Sequence, residues 1–252
     1  MKLYAMSDLH GCYDELLIAM QNVELENTDN VLVFCGDYVD GNADSNSMKL
    51  LYYLYDLQKN YGNRVVVLRG NHDQWFLEYI EKGVGQYGYP SIETLQDMVG
   101  EEEFYTIITY ARRMSKTNPD VLFYVNQECR KVIIKKHKKI IDWMKIWPLY
   151  FENENQIYVH AGIEEIECDN DSWKKYTDEH TFLMKHIFDG DYFYKDIIAG
   201  HSSSALVAND KSYLGQIYKL GPSHYFIDGN TMVSKRIPVL VYDTEINEYE
   251  FK

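Results

Sequence analysis

Apolar and polar positions come in blocks along this chain. Residues 3–6 form a short apolar run, Val31-Leu32-Val33-Phe34-Cys35 is continuously apolar, and Val65-Val66-Val67-Leu68 repeats the pattern. Unbroken apolar runs of this length fit strands covered on both faces. Between them apolar residues return at helical spacing, with Leu16, Leu17 and Met20 marking a helix over 13–21. Further helices are predicted over 48–57 and 74–81. Strand and helix therefore alternate, which predicts a βαβαβ unit with a parallel sheet.

The middle of the chain has a different character. Gly83, Gly85, Gly88 and Pro90 mark a loop, and helical spacing follows over 91–98, 102–114, 119–127 and 135–147. This stretch, 83–147, reads as a helical insertion lying against the sheet or over the site, not as an independent domain. The basic run Lys135-Lys136-His137-Lys138-Lys139 reads as a solvated helix face or loop before it reads as a phosphate patch. Strands return over 157–159, 197–199, 224–229, 238–242 and 248–251, and antiparallel pairing is expected in this last part. The predicted fold class is α/β, with two packed mixed β-sheets flanked by helices. One domain is expected over 1–252, carrying its helical insertion at about 83–147.

Chemistry-bearing residues gather where the apolar runs stop. Ser7-Asp8-Leu9-His10-Gly11 follows the first run, Gly36-Asp37-Tyr38-Val39-Asp40 the second and Arg69-Gly70-Asn71-His72-Asp73 the third. His160-Ala161-Gly162 and Gly200-His201-Ser202 follow two later ones. Loops at the carboxyl ends of strands converge in open α/β sheets. A lone Asp-x-His or Asn-His-Asp would mean little; five such runs, each after a predicted strand, point to a metal site. Asp8 and His10, two residues apart, can meet one metal from one side. Asp37 ends the second strand and is placed to bridge two metals. Asn71 would end the third strand and offer its carbonyl oxygen, and His160 and His201 end two later strands. Mixed oxygen and nitrogen donors suit two divalent ions, manganese first, with iron or zinc as the other choices. Two ions roughly 3.5–4 Å apart bind attacking and non-bridging oxygens together. His72 is free to act as a general acid, with Asp40 holding its ring in one tautomer.

Composition narrows the picture. The 252 residues are 46% hydrophobic and 15% aromatic, an ordinary globular balance. A net charge of −14 argues against coating nucleic acid. It leaves phosphorylated substrates open, because bound cations reverse the local field. The 23 tyrosines show no period and read as packing. Cys12, Cys35, Cys129 and Cys168 lack metal or redox spacing and read as small buried thiols. His137, His180, His186 and His224 fall outside every motif and read as surface or packing residues. No signal-peptide pattern opens the chain and no run approaches a membrane span, so a soluble, cytoplasmic protein is expected.

The ordered motifs resemble the phosphoprotein phosphatase branch of the calcineurin-like metallophosphoesterases, over roughly 1–82 and 155–230. The run His10-Gly11-Cys12-Tyr13-Asp14-Glu15-Leu16 is especially similar to bacterial and phage members and to symmetrical diadenosine tetraphosphate hydrolases. The resemblance implies one metal on Asp8, His10 and Asp37, and a second on Asp37, Asn71, His160 and His201. It implies His72 as the acid with Asp40 as its partner. It also implies an arginine that clamps phosphate after Val39-Asp40, yet Gly41 stands there, followed by Asn42. A further family arginine after His-Ala-Gly has no match, since only Arg236 follows His160. Arg112 and Arg113 of the insertion are the candidate substitutes. Arg69 matches a family arginine whose role is structural or phosphate-binding. The activity implied is hydrolysis of phosphomonoesters by metal-bound hydroxide, as in a serine/threonine-type protein phosphatase, on a phosphorylated protein or small phosphoester. A dinucleoside polyphosphate hydrolase is the alternative. A weakly active, metal-containing interaction module is the second alternative, motivated by Gly41.

Overall fold

In a computed structural model of the chain, the residues described are 1–114, 121–166, 171–186 and 188–252. The three leading apolar runs become β1 (Lys2–Met6), β2 (Val31–Phe34) and β3 (Val65–Val67). Between and after them stand α1 (Tyr13–Ala19), α2 (Ser47–Tyr61) and α3 (Asn71–Lys82). The middle of the chain holds α4 (Ile92–Val99), α5 (Glu101–Met114) and α6 (Val121–Met144). Then come β4 (Tyr150–Glu152), β5 (Gln156–Val159), β6 (Asp196–Ala199), β7 (Tyr218–Leu220), β8 (His224–Phe226), β9 (Leu240–Asp243) and β10 (Glu248–Phe251).

Two five-stranded mixed sheets result, ordered β10-β9-β1-β2-β3 and β4-β5-β6-β8-β7. In the first, β1, β2 and β3 are parallel, and β9 and β10 run antiparallel beside β1. The second departs from the antiparallel pairing expected of it. Its centre, β5-β6-β8, is parallel, and only the edge strands β4 and β7 are antiparallel. The reason lies in the connections. Short helices, Ser172–Tyr176 and Glu179–Met184, stand between β5 and β6, and a crossover of that kind returns the chain in the same direction.

Strand alternation divides the core into layers. Leu3, Ala5, Val33 and Cys35 face Tyr158, Ile198 and Tyr225 between the sheets. Tyr4, Met6, Leu32 and Phe34 face the other way, onto the helices. The predicted insertion shares that outer layer, because Leu95, Phe104, Cys129, Ile133 and Ile140 belong to the same buried cluster as β1 and β2. Cys12, Cys35 and Cys129 are buried free thiols; Cys168 lies outside the described residues. Among the described residues no helix is long and apolar enough to cross a membrane.

Two helices differ from the predicted spans. The described part of 119–127 and most of 135–147 lie in a single helix, α6, which bends at His137 (φ −117°, ψ 22°). The His137 ring bonds to the Met98 carbonyl at 2.7 Å and the Tyr52 hydroxyl at 3.2 Å, fixing the bend against α2 and α4. More important for the site, α3 begins at Asn71, three residues earlier than expected. The Asp73 carboxylate accepts the Gly70 N–H at 2.9 Å, and an acid in the first turn suits the positive end of a helix. At its other end α3 is gripped by α6. Arg130 donates to the carbonyls of Tyr79, Ile80 and Glu81 at 3.1, 2.8 and 2.9 Å. Tyr79 in turn donates to the Asn126 carbonyl at 2.6 Å.

Candidate metal centre

The loops after β1, β2, β5 and β6 and the first turn of α3 meet at one edge of the two sheets. Among the described residues nine non-glycine positions have positive φ, and five of them are Asp8, His10, Asp37, Asp40 and His201. That conformation is disfavoured for side-chain-bearing residues. A cluster of it marks a place where surrounding contacts override local preference. The overriding contacts are visible. Asp37 and Tyr38 donate their N–H groups to the Asp73 carboxylate at 2.9 and 3.1 Å, the same carboxylate that caps α3. His72 N–H then donates to Asp37 Oδ1 at 3.0 Å. Gly70 permits this approach, since a Cβ there would lie 2.2 Å from Asp37 Oδ1.

The ligand-type atoms form two groups that share Asp37. His10, Asp37 and His72 offer atoms within 4.8 Å of one another, and so do Asp37, His160 and His201. Asp8 belongs to neither group; its Oδ2 accepts from the Ser7 hydroxyl and from His201 N–H, the latter at 2.9 Å. The imidazoles are set by backbone carbonyls. His10 Nδ1 bonds to Val39 O at 2.9 Å and His160 Nδ1 to Cys35 O at 2.8 Å. With the proton on Nδ1, each Nε2 presents a lone pair, the arrangement typical of metal-binding histidines. His160 Nε2 faces Asn71 Oδ1 at 2.6 Å and Asp37 Oδ2 at 3.5 Å. With its proton on Nδ1, His160 Nε2 and the Asn71 carbonyl oxygen are both acceptors.

Electrostatics point the same way. Burial, then the charges of Asp228 and Asp37, hold Asp8 well above the usual carboxylate range. Burial lifts Asp37 to about 8 and Asp228 to about 6. Burial also pushes His10 down to about 4, helped by His72, and His201 to about 3, helped by His186. His160, fully buried beside His201, lies well below its ordinary value. Buried carboxylates that resist ionising and imidazoles that resist protonation form a donor set completed by cations. The residues present therefore fit divalent metals.

His72 stands apart. Burial opposes its charge, but the hydrogen bond with Asp40 and the carboxylates of Asp37, Asp40 and Asp73 outweigh this and raise it to about 9. Its Nδ1 bonds Asp40 Oδ2 at 3.0 Å. Asp40 Oδ1 accepts Ser91 N–H at 3.3 Å, so the entry to α4 helps to hold the pair.

The candidate arginines are placed differently. The Arg69 guanidinium is engaged by Gln74 Oε1 at 3.0 Å and by the carbonyls of Lys145 and Trp147 at 2.9 and 3.3 Å. It tethers the chain after α6 to the start of α3. Arg112 and Arg113 are exposed in the last turn of α5. Among the described residues, none lining a cavity of about 350 Å³ beside His72 and Asp40 is an arginine or lysine. Gly41 is buried, and a Cβ there would lie 1.9 Å from Ser45 Oγ and 2.1 Å from the His10 carbonyl oxygen. Position 41 thus has no room for a side chain.

Residues that sequence reasoning passed over complete the site. His186 lies with Nε2 2.9 Å from His201 Nε2, at the edge of the cluster and not merely in packing. Asp228, just after β8, adds a fourth buried carboxylate to Asp8, Asp37 and Asp73. Asp73 was visible inside its motif, but its part in holding Asp37 was not.

A family profile described as calcineurin-like phosphoesterase matches residues 1–227. The chain belongs to that family. Among curated relatives, the symmetrical bis(5'-nucleosyl)-tetraphosphatase of Xylella fastidiosa (strain 9a5c) is 27% identical over 165 residues, covering 65% of this chain and 43% of that protein. The enzyme of the same name from Buchnera aphidicola subsp. Acyrthosiphon pisum (strain 5A) is 37% identical over 73 residues, covering 29% of this chain and 24% of that protein. The chain thus spans less than half the length of these relatives. Among solved structures, the fold matches a cold-active protein-tyrosine phosphatase of a psychrophilic Shewanella species (TM-score 0.55, 16% identity, 99% of this chain and 80% of that one). It also matches a protein serine/threonine phosphatase from Saccharomyces cerevisiae (TM-score 0.56, 13% identity, 100% and 79%).

Proposed function

We propose that this calcineurin-like phosphoesterase is a phosphomonoesterase of the serine/threonine protein phosphatase type, acting in the cytoplasm with two manganese ions. The observation that carries the dinuclear reading is Asp37, shared by two donor groups, with the His72–Asp40 pair beside it. His10, Asp37 and Asp8 would hold one ion, and Asp37, Asn71, His160 and His201 the other. When bound, the ions supply Lewis acidity that activates water and draws charge from phosphoryl oxygens. His72, held through Nδ1, keeps Nε2 for the proton that the leaving oxygen takes up. Asp40 fixes that ring, and the backbone wiring of Asp37 keeps the floor from shifting during the reaction. Residues 1–252 would act as one domain, with 83–147 inserted as a wall of the site.

A second reading, hydrolysis of dinucleoside polyphosphates, is supported by the names of the curated relatives. Among the described residues, the cavity beside His72 is lined by aromatic and small side chains rather than basic ones, which favours the monoester, because a polyphosphate chain needs several cations. Phosphate release from p-nitrophenyl phosphate, a phosphopeptide and diadenosine tetraphosphate tests both readings. Manganese-dependent turnover, lost in Asp37→Asn and His72→Asn, is expected, fastest on a monoester. Fastest turnover of the tetraphosphate would select the second reading, and no turnover on any of them would remove both.

A further inference from the structure

Trp75 stands one helical turn after His72 on α3, and its ring packs on the imidazole with centroids 4.7 Å apart. Tyr87, from the loop after α3, packs on Trp75 with ring centroids 4.5 Å apart. These two rings, with Tyr89 and Pro90, line the cavity of about 350 Å³ that opens onto His72 and Asp40. Tyr87 is 61% exposed, an unusual expense of aromatic surface on a short loop. The loop is nevertheless ordered. Gly85 and Gly88 exchange backbone hydrogen bonds at 2.8 and 3.1 Å, and Gln86 N–H donates to Glu78 Oε2 at 2.9 Å. Gly85 lies so close to α3 that a Cβ would come within 2.7 Å of the Trp75 carbonyl oxygen. The loop then runs through Pro90 to Ser91, whose N–H holds Asp40.

We infer that this cavity is a specificity site for a planar aromatic ring carried directly on the ester oxygen, so that the preferred monoester is an aryl phosphate. The inference rests on the phosphomonoesterase reading but replaces the alkyl serine/threonine ester proposed there with an aryl one. The group attached to the oxygen that His72 protonates must lie beside His72, and among the described residues what lies there is an aromatic wall without cations. A nucleobase, separated from its phosphate by a ribose, would overreach it, and an alkyl group would leave the rings unused. In the reaction the oxygen of water forms the new P–O bond. The ester P–O bond breaks with its electron pair passing to the aryl oxygen, which takes a proton from His72. The products are a phenol and inorganic phosphate, which keeps one proton of the water, while the other, through solvent, restores the proton of His72.

Binding decides the point independently of turnover. With the manganese-loaded protein, titration calorimetry compares phenylphosphonate with methylphosphonate, neither of which can be hydrolysed as an ester. Aromatic contact of this kind is expected to favour the phenyl compound by about tenfold. Trp75→Leu and Tyr87→Ala should each reduce that ratio several-fold, and Trp75→Phe should retain most of it. In turnover, Trp75→Leu should cost phenyl phosphate more kcat/KM than ethyl phosphate. A phosphotyrosyl peptide set beside free phenyl phosphate tells whether the ring arrives on a protein or on a small molecule. Equal affinity for the two phosphonates, or a preference that survives both Trp75→Leu and Tyr87→Ala, overturns the inference. So does an effect of Trp75→Leu confined to diadenosine tetraphosphate. Should Trp75→Leu fail to fold by circular dichroism, Tyr87→Ala on the exposed loop decides alone. If no ester is hydrolysed, the hydrolase reading falls while the phosphonate ratio still rules on the cavity.

Discussion

The floor of the site is made of buried and half-buried residues in disfavoured backbone conformations, whereas its wall is made of aromatic side chains on one helix turn and a short loop. Asp8, His10, Asp37, Asp40 and His201 all have positive φ, and each is fixed by hydrogen bonds from other loops. Trp75, Tyr87 and Tyr89 are placed by ring packing and by a loop held to α3 at its backbone. The first kind of construction tolerates little change, because strained conformations persist only while several contacts enforce them. The second kind can be altered by one side chain at a time. Catalytic chemistry and the substrate preference proposed above are thus carried by different materials.

Substitutions should respect this division. The largest effect is expected from Asp37→Asn on the floor. Positioning residues around a metal are worth about 10–100-fold, so a residue shared by two donor groups should cost more than about 100-fold in turnover. Metal content by atomic emission should fall with it. His72→Asn should cost about 100-fold or more while leaving metal content unchanged, which separates proton transfer from metal binding. A variant that loses its metal would instead make His72 a ligand. Gly41→Arg should fail to improve activity and should lower stability by about 1–3 kcal/mol through overpacking, seen as a drop of several degrees in thermal unfolding. A gain in activity would show that the loop reopens and that the wall, not position 41, was limiting.

The smallest effect lies away from both. Glu165 bonds Lys185 at 2.7 Å and His224 at 2.9 Å. Burial raises its pKa, but these two partners outweigh it and hold the carboxyl below its ordinary value. A carboxyl depressed in the folded state stabilises above its unfolded value, near 4.3, and the benefit fades as pH falls through the folded one. Glu165→Gln should therefore lower the melting temperature at pH 7 and have little effect near pH 3. An equal loss at both would assign the effect to packing.

Much of the floor was legible because its residues cluster in short runs after unbroken apolar strands. Val31 to Cys35 could only be a covered strand, and Asp37 just beyond it could only be near the strand end. What could not be read were contacts between runs. The Asp73 carboxylate serves Gly70, Asp37 and Tyr38 together, and nothing local distinguishes it from a turn residue. His186 carries no motif and reaches His201 only through the folding of the chain after β5. The parallel centre of the second sheet was hidden for a related reason, since its crossover helices are too short to show a clear period. Gly41 was read as an arginine lost, while the fold shows a position closed to any side chain by Ser45 and His10. Absence in a sequence and exclusion in space look alike until the neighbours are known.

The grip of Arg130 on the end of α3 has a consequence for engineering. The reacting end and the gripped end belong to one straight element about 18 Å long, at 1.5 Å per residue. Exchanging the middle of this chain for that of another calcineurin-like phosphoesterase would, on the proposal above, transplant substrate preference, but it would also remove the Arg130 grip on the end of α3. A working chimaera would need a cation wherever the new helix passes those three carbonyls, and screening donors for that single residue would be the cheapest first filter.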